Sequence, residues 1–385
     1  MTDTLLRGPL PAIGAVARWV RGHSVEGLPR ARTSPAAALK WWSDEYLLQV
    51  EMASSRMRVP DGSFRRRLRS ELSETIDMFA ERGWFDNPRS YHGKPDAVVK
   101  DLSITPARSM SYDFEHVTFT STYKPWKGEP GADRWAQYKP IQTGHCYMMR
   151  HHGRPRPWMV LVNGYRTGNP AIDFASFRAK HLHEHHGLNV ITVVLPLHGP
   201  RAIGRSGSRV LHAGALNTIH TLAHGTWDIR KIINWLRVEH DAPSVGISGI
   251  SLGGYMASMV AGLEDGLACV IAGVPESDLV RGLRRQMAPL LPPFYEQWGL
   301  SWDSLGQALG VVSPLSFDCK VPHDRRYIYA GLLDRWVRPG NVHTLWKHWD
   351  EPSIHWYQGS HMSFVFEKSV HRYVDDAVEE SFGKF

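Results

Sequence analysis

The segment Gly249-Ile250-Ser251-Leu252-Gly253 constrains this chain more than any other. An apolar, β-branched run precedes it, and Tyr255-Met256-Ala257-Ser258-Met259-Val260-Ala261, a helix-compatible run, follows. Strand, tight turn and helix in that order hold the central serine in a strained backbone conformation. Large side chains two residues to either side would clash, and Gly249 and Gly253 remove them. A helix starting just after Ser251 aims its first N–H groups at any negative charge forming there. Glycine and serine are common in turns, so the pattern acquires meaning only if the chain supplies more. A serine hydroxyl needs a base, a group that orients the base, and donors for an oxyanion.

Two later segments fit those roles. Arg326-Tyr327-Ile328-Tyr329-Ala330-Gly331 reads as a buried strand and leads to Asp334, held in a turn before Pro339. Ser353-Ile354-His355-Trp356-Tyr357 reads as another strand, followed by Gln358-Gly359-Ser360-His361. The order is serine, acid, histidine.

With these three motifs the chain resembles the α/β-hydrolase superfamily, over about Trp158 to the C-terminus. The resemblance implies an α/β fold: a mostly parallel central sheet flanked by helices. It makes Ser251 the nucleophile, His361 the general base and acid, and Asp334 the orienter. It also implies an esterase or lipase-like serine hydrolase that needs no cofactor or metal. Ser248 is a poorer nucleophile, because Ile250 stands where the second glycine should be. Some members take the acid from an earlier strand, so Glu276 and Asp278, after Cys269 to Val274, stay open as alternatives to Asp334. Asp318 and Asp324 read as loop charges.

The oxyanion donors are expected after the strand Trp158 to Val162, from the N–H of Gly164 or Tyr165, with a second from Leu252. Many family members have a histidine where this chain has Asn163. Tyr165 and Arg166 are placed to touch substrate as well as to pack. His198, after the strand Val190 to Leu195, should face the same side of the sheet. His198 and Tyr255 are the expected substrate-lining residues.

The rest of the chain bounds the setting. Its 385 residues suffice for one large domain and an appendage. Residues 1–110 are expected to be a helical extension and residues 111–385 the catalytic domain, strand-like from about 112. Helices are expected over 36–58 and 63–83, and a short amphipathic helix from Leu6, Leu10, Ile13, Val16 and Val20. Residues 279–318 are the candidate cap and acyl-binding wall.

The net charge of +7 is dispersed. The run Arg65-Arg66-Arg67-Leu68-Arg69 is balanced by Glu71, Glu74, Asp77 and Glu81, which argues against a nucleic-acid partner and leaves room for weak contact with a membrane surface. Cys146, Cys269 and Cys319 have no metal spacing, and no apolar run is long enough to span a membrane. With Pro9, Pro11 and Arg18 breaking its apolar residues, the N-terminus makes a poor secretory signal. A cytoplasmic location is expected. The cluster His181 to His186 lacks the His-Glu-x-x-His spacing and reads as a helix end. The substrate is expected to be a small ester or lipid-like molecule. Thioesters, amides and peptides use the same machinery, and a catalytically silent binding protein is the other class.

Overall fold

The computed structural model describes residue 14 and residues 27–54, 62–211, 214–286 and 299–383. The amphipathic pattern from Leu6 to Val20 and residues 287–298 of the expected cap lie outside them. Two helices with described bounds precede the strands, α1 (Pro35–Ser54) and α2 (Gly62–Glu81). The strands are β1 (Lys100–Ser109), β2 (Tyr112–Thr120), β3 (Thr143–Met149), β4 (Trp158–Val162), β5 (Asn189–Val193), β6 (Val245–Ile250), β7 (Val270–Gly273), β8 (Arg326–Gly331) and β9 (Ser353–Tyr357). Between and after them run α3 (Pro170–Phe177), α4 (Ala179–Glu184), α5 (Ala215–Glu239), α6 (Leu252–Leu263), α7 (Leu279–Gln286), α8 (Trp302–Gly310), α9 (Pro339–His348) and α10 (Lys368–Phe382).

The strands form one sheet in the order β1-β2-β3-β5-β4-β6-β7-β8-β9. Pairing is antiparallel from β1 through β3 to β5 and parallel among β4 to β9. β4, β5 and β6 are buried at every position, as continuous apolar strands covered on both faces must be. The sheet begins earlier than the expected strand near Tyr112. β1 carries Pro106 and is mostly exposed, so it shows neither alternation nor an apolar run. An edge strand tolerates both.

The strand order places the site. From β4 the chain steps outward to β5, then crosses back to β6 on the other side of β4. At such a switch of direction the loops leaving β4 and β6 diverge and open a crevice at the carboxyl ends of the strands. The loops after β4, β6, β7, β8 and β9 carry Gly164, Ser251, Glu276, Asp334 and His361 respectively.

One buried ion pair anchors the loop after β5. Arg201 donates to the carbonyls of Val194 and Ile141 and to Asp228 of α5, at 2.9, 2.7 and 2.8 Å. Burial alone would raise the Asp228 pKa, but His224 and Arg201 outweigh it and hold it at about 2. A charge so enclosed is tolerable only because its lone pairs are filled.

Candidate active site

Ser251 has φ 59° and ψ −115°, the positive-φ conformation expected at a sharp strand-to-helix turn. Its N–H donates to the Gly273 carbonyl at 2.8 Å, fastening the turn to β7. The two flanking glycines are sterically required. A Cβ at 249 would lie 2.0 Å from the Gly253 carbonyl oxygen, and one at 253 would lie 2.0 Å from that of Val162. α6 starts at Leu252, so its first backbone N–H is beside the serine.

His361 Nε2 lies 3.0 Å from Ser251 Oγ, and its Nδ1 lies 2.6 Å from Asp334 Oδ2. The other carboxylate oxygen of Asp334 accepts the N–H groups of Trp336 and Val337, at 2.8 and 2.7 Å. Its rotation is therefore fixed by its own loop. A carboxylate only accepts, so Nδ1 carries the proton and Nε2 of the neutral ring is left to accept from the serine. Burial pushes the His361 pKa down, but Asp334 first and then Asp44 outweigh it, and the net direction is up.

The alternative acids have other partners. Glu276 Oε1 accepts from the N–H groups of Ser277 and Asp278 and from Asn341 Nδ2, at 2.9, 3.0 and 2.6 Å. Asp278 Oδ1 accepts the Arg281 N–H at 2.9 Å, beside the first turn of α7. Burial raises the Glu276 pKa from 4.5 to about 7. A carboxyl raised this way adds stability below about pH 4.5, and loses it as the pH rises through 7. All three donors use one oxygen, so glutamine can keep them. Glu276→Gln is expected to retain turnover and to gain up to about 3 kcal/mol at pH 8 but nothing at pH 4. Thermal melts at the two pH values check this, and a collapse of kcat would return Glu276 to candidacy as the acid. Ser248 lines a small space among Met159, Phe177, Ile271 and Phe364.

Gly164 passes against the serine turn. A Cβ built on it would lie 3.2 Å from the Ile250 carbonyl oxygen and 3.8 Å from the Ser251 Cβ. Asn163, in the place of the family's histidine, is fully buried and stitches the loop. Its Oδ1 accepts the Leu195 N–H and its Nδ2 donates to the Gly164 carbonyl, both at 2.9 Å. The residues expected to line the substrate are more enclosed than their sequence positions suggest. His198 is fully buried, its Nδ1 is 2.9 Å from the Pro196 carbonyl, and burial lowers its pKa to about 4. The Tyr255 hydroxyl donates to the Val312 carbonyl at 2.7 Å, tying α6 to the 279–318 segment. Tyr255 also borders a cavity of about 870 Å³, together with Leu279, Arg281, Arg284 and Trp302.

Sequence reasoning missed the part played by α1. Asp44 is fully buried and accepts the His361 N–H at 2.6 Å. Glu51 pairs with Arg166 and accepts the Tyr165 hydroxyl, so these two loop residues are engaged by the helix. Only the acidic spacing in Trp41-Trp42-Ser43-Asp44-Glu45 and at Glu51 could have flagged this, and acids on a helix usually face water. In the histidine cluster, the ligand atoms of His181, His185 and His186 lie within 4.8 Å of one another. Asp375 Oδ1 sits 3.2 Å from His181 Nε2 and 3.1 Å from His186 Nε2, and also takes the Arg178 guanidinium at 3.1 Å. Asp375 thus draws Arg178, His181 and His186 together, and the three imidazoles lie close enough to share a cation.

The central sheet, the serine turn and the strand-end loops make up an α/β-hydrolase fold. Two solved structures show the same fold. Acetyl xylan esterase 1 from Thermoanaerobacterium sp. JW/SL YS485 superposes with a TM-score of 0.53 at 15% identity, over 77% of this chain and 98% of that one. The acetyl xylan esterase from Paenibacillus sp. R4 gives 0.51 at 13%, over 76% and 93%. No established family model matches the sequence. Two Mycobacterium tuberculosis proteins, Rv2627c of strain ATCC 25618 / H37Rv and MT2702 of strain CDC 1551 / Oshkosh, are each 35% identical over 362 residues. The match covers 94% of this chain and 86% of theirs. The chain belongs to the family of these two proteins, which are described only as uncharacterized. No helix among the described residues is long and apolar enough to cross a membrane.

Proposed function

We propose that this protein is a serine hydrolase that cleaves a small carboxylic ester through Ser251, His361 and Asp334. The observation that carries the reading is the unbroken chain from Ser251 Oγ to His361 Nε2 at 3.0 Å and from His361 Nδ1 to Asp334 at 2.6 Å. His361 takes the hydroxyl proton as Ser251 attacks the carbonyl carbon. The N–H of Leu252 and that of Gly164 or Tyr165 hold the oxyanion, each such donor being worth about 3 kcal/mol. His361 then protonates the leaving alcohol, and water repeats the sequence on the acyl-enzyme. The balance of atoms needs no cofactor.

Both solved neighbours are acetyl xylan esterases by name. A short acyl group is therefore the first substrate to test. A p-nitrophenyl ester series from acetate to long acyl chains is expected to show turnover, with the chain-length optimum sizing the pocket. The active form has a neutral imidazole, so activity should rise with pH. Because the His361 pKa is raised, the midpoint of that rise is expected above 6.5. Absence of turnover at every length, with a fluorophosphonate still labelling Ser251, would move the assignment to thioesters or amides. Absence of both would leave a binding protein on a hydrolase fold.

A further inference from the structure

Helix α1 reaches the loops of the site. Asp44 Oδ2 accepts two backbone N–H groups, that of His361 at 2.6 Å and that of Arg335 at 3.2 Å. Its Oδ1 takes the N–H of Met362 at 3.3 Å. One carboxylate thus grips the loop that carries the histidine and the loop that carries its acid. The neighbouring Glu45 clamps the Arg335 guanidinium at 2.9 and 2.7 Å, with Arg335 lying over the Trp41 ring. One turn and a half further on, Glu51 holds Arg166 and Tyr165 beside the expected oxyanion loop. Three loops of the site therefore meet one helix.

Asp44 is an expensive residue to place here. It has no exposed surface, and Asp334 is close enough to repel it. Burial first, and Asp334 second, push its carboxyl up to about 6. Simple docking of a helix does not need a second carboxylate beside the first.

We infer that Asp44 is a positioning residue of the site: it fixes the backbone of the His361 and Asp334 loops and adds a second negative charge beside the imidazole. The inference rests on the triad reading above. The groups facing Asp44 are Asp334 and the Arg335 backbone from the loop after β8, His361 from the loop after β9, and Tyr357 from β9 itself. Those facing His361 are Asp334, Asp44 and Glu276. Negative charge beside an imidazole favours its protonated form. Removing the Asp44 charge therefore moves the acid limb of kcat/KM to lower pH, while the loosened loops lower kcat.

The test is the kinetics of p-nitrophenyl acetate hydrolysis by the full chain, wild type beside Asp44→Asn, with Asp44→Ser as the second variant. Asparagine and serine keep an acceptor without the charge. Expected is a kcat roughly ten- to a hundred-fold lower, a KM within a few-fold, and an acid midpoint lower by about half to one pH unit. Glu45→Gln, which loosens the helix without touching the imidazole's charges, should lower Tm and leave the midpoint in place. A folded Asp44 variant with wild-type kcat and midpoint overturns the proposal. So does a loss of activity that follows the unfolded fraction with the midpoint unmoved, or failure of both variants to fold, since each makes Asp44 a structural staple only. The rate of fluorophosphonate labelling at Ser251 separates the two readings. Labelled wild type with an unaffected Asp44→Asn sinks the positioning role alone. Wild type that neither labels nor turns over sinks the hydrolase reading and the Asp44 role with it.

Discussion

Ser251→Ala is expected to abolish ester turnover, by about 10⁶ in kcat, with the fold intact. The hydroxyl of Ser251 is the group 3.0 Å from His361 Nε2. The backbone at 251 does not depend on the side chain. Its positive φ is enforced by the Gly273 carbonyl and by the close packing of Gly249 and Gly253. Alanine fits the same φ as poorly as serine does, so the substitution adds little strain. Initial rates on the acetate ester, beside circular dichroism of the variant, check both halves. Persisting turnover would mean that the nucleophile lies elsewhere, and the loss of a folded signal would mean that the hydroxyl also holds the turn.

Asp334→Asn is expected to lower kcat by about 10⁴, the size seen for the equivalent change in a serine protease. The geometry says why. The oxygen that accepts from Trp336 and Val337 sits between two donors, so an asparagine there keeps its carbonyl oxygen on that side. Its amide group must then face His361 Nδ1, donor toward donor. The ring relieves the conflict by moving its proton to Nε2, where it can no longer accept from Ser251. The expected signature is a fall in kcat with KM little changed, while Glu276→Gln stays active. A mild Asp334→Asn beside a severe Glu276→Gln would reverse the assignment of the acid.

Much of this candidate site was legible in the sequence because its parts end short strands. Ser251 follows β6, Asp334 follows β8 and His361 follows β9, and each strand is an apolar or aromatic run closed by glycine or a turn. A parallel sheet delivers such strand ends to one edge, so their order in the chain was enough to suggest that they meet. What the sequence hid lies in long-range polar contacts. Nothing local marks Asp44 as buried, since the residue gains its partners only when a helix from the first fifty-odd residues lands on loops near the end of the chain. The sequence leaves Arg166 and Tyr165 open between packing and touching substrate for the same reason, because their partner Glu51 is remote in sequence. β1 was missed because its pairing with β2 is its main support and Pro106 and charged residues mask it. Nothing near Tyr255 in sequence announces its bond to Val312, which depends on a segment more than fifty residues further on.

The bond between Asp44 and His361 joins positions 317 residues apart. A chain leaving the ribosome presents the carboxylate long before the imidazole. Closing so long a loop costs less entropy once the sheet between them has formed. On the proposed mechanism a partly synthesised or partly folded chain holds Ser251 without its base, and hydrolytic competence waits until these two distant segments have met.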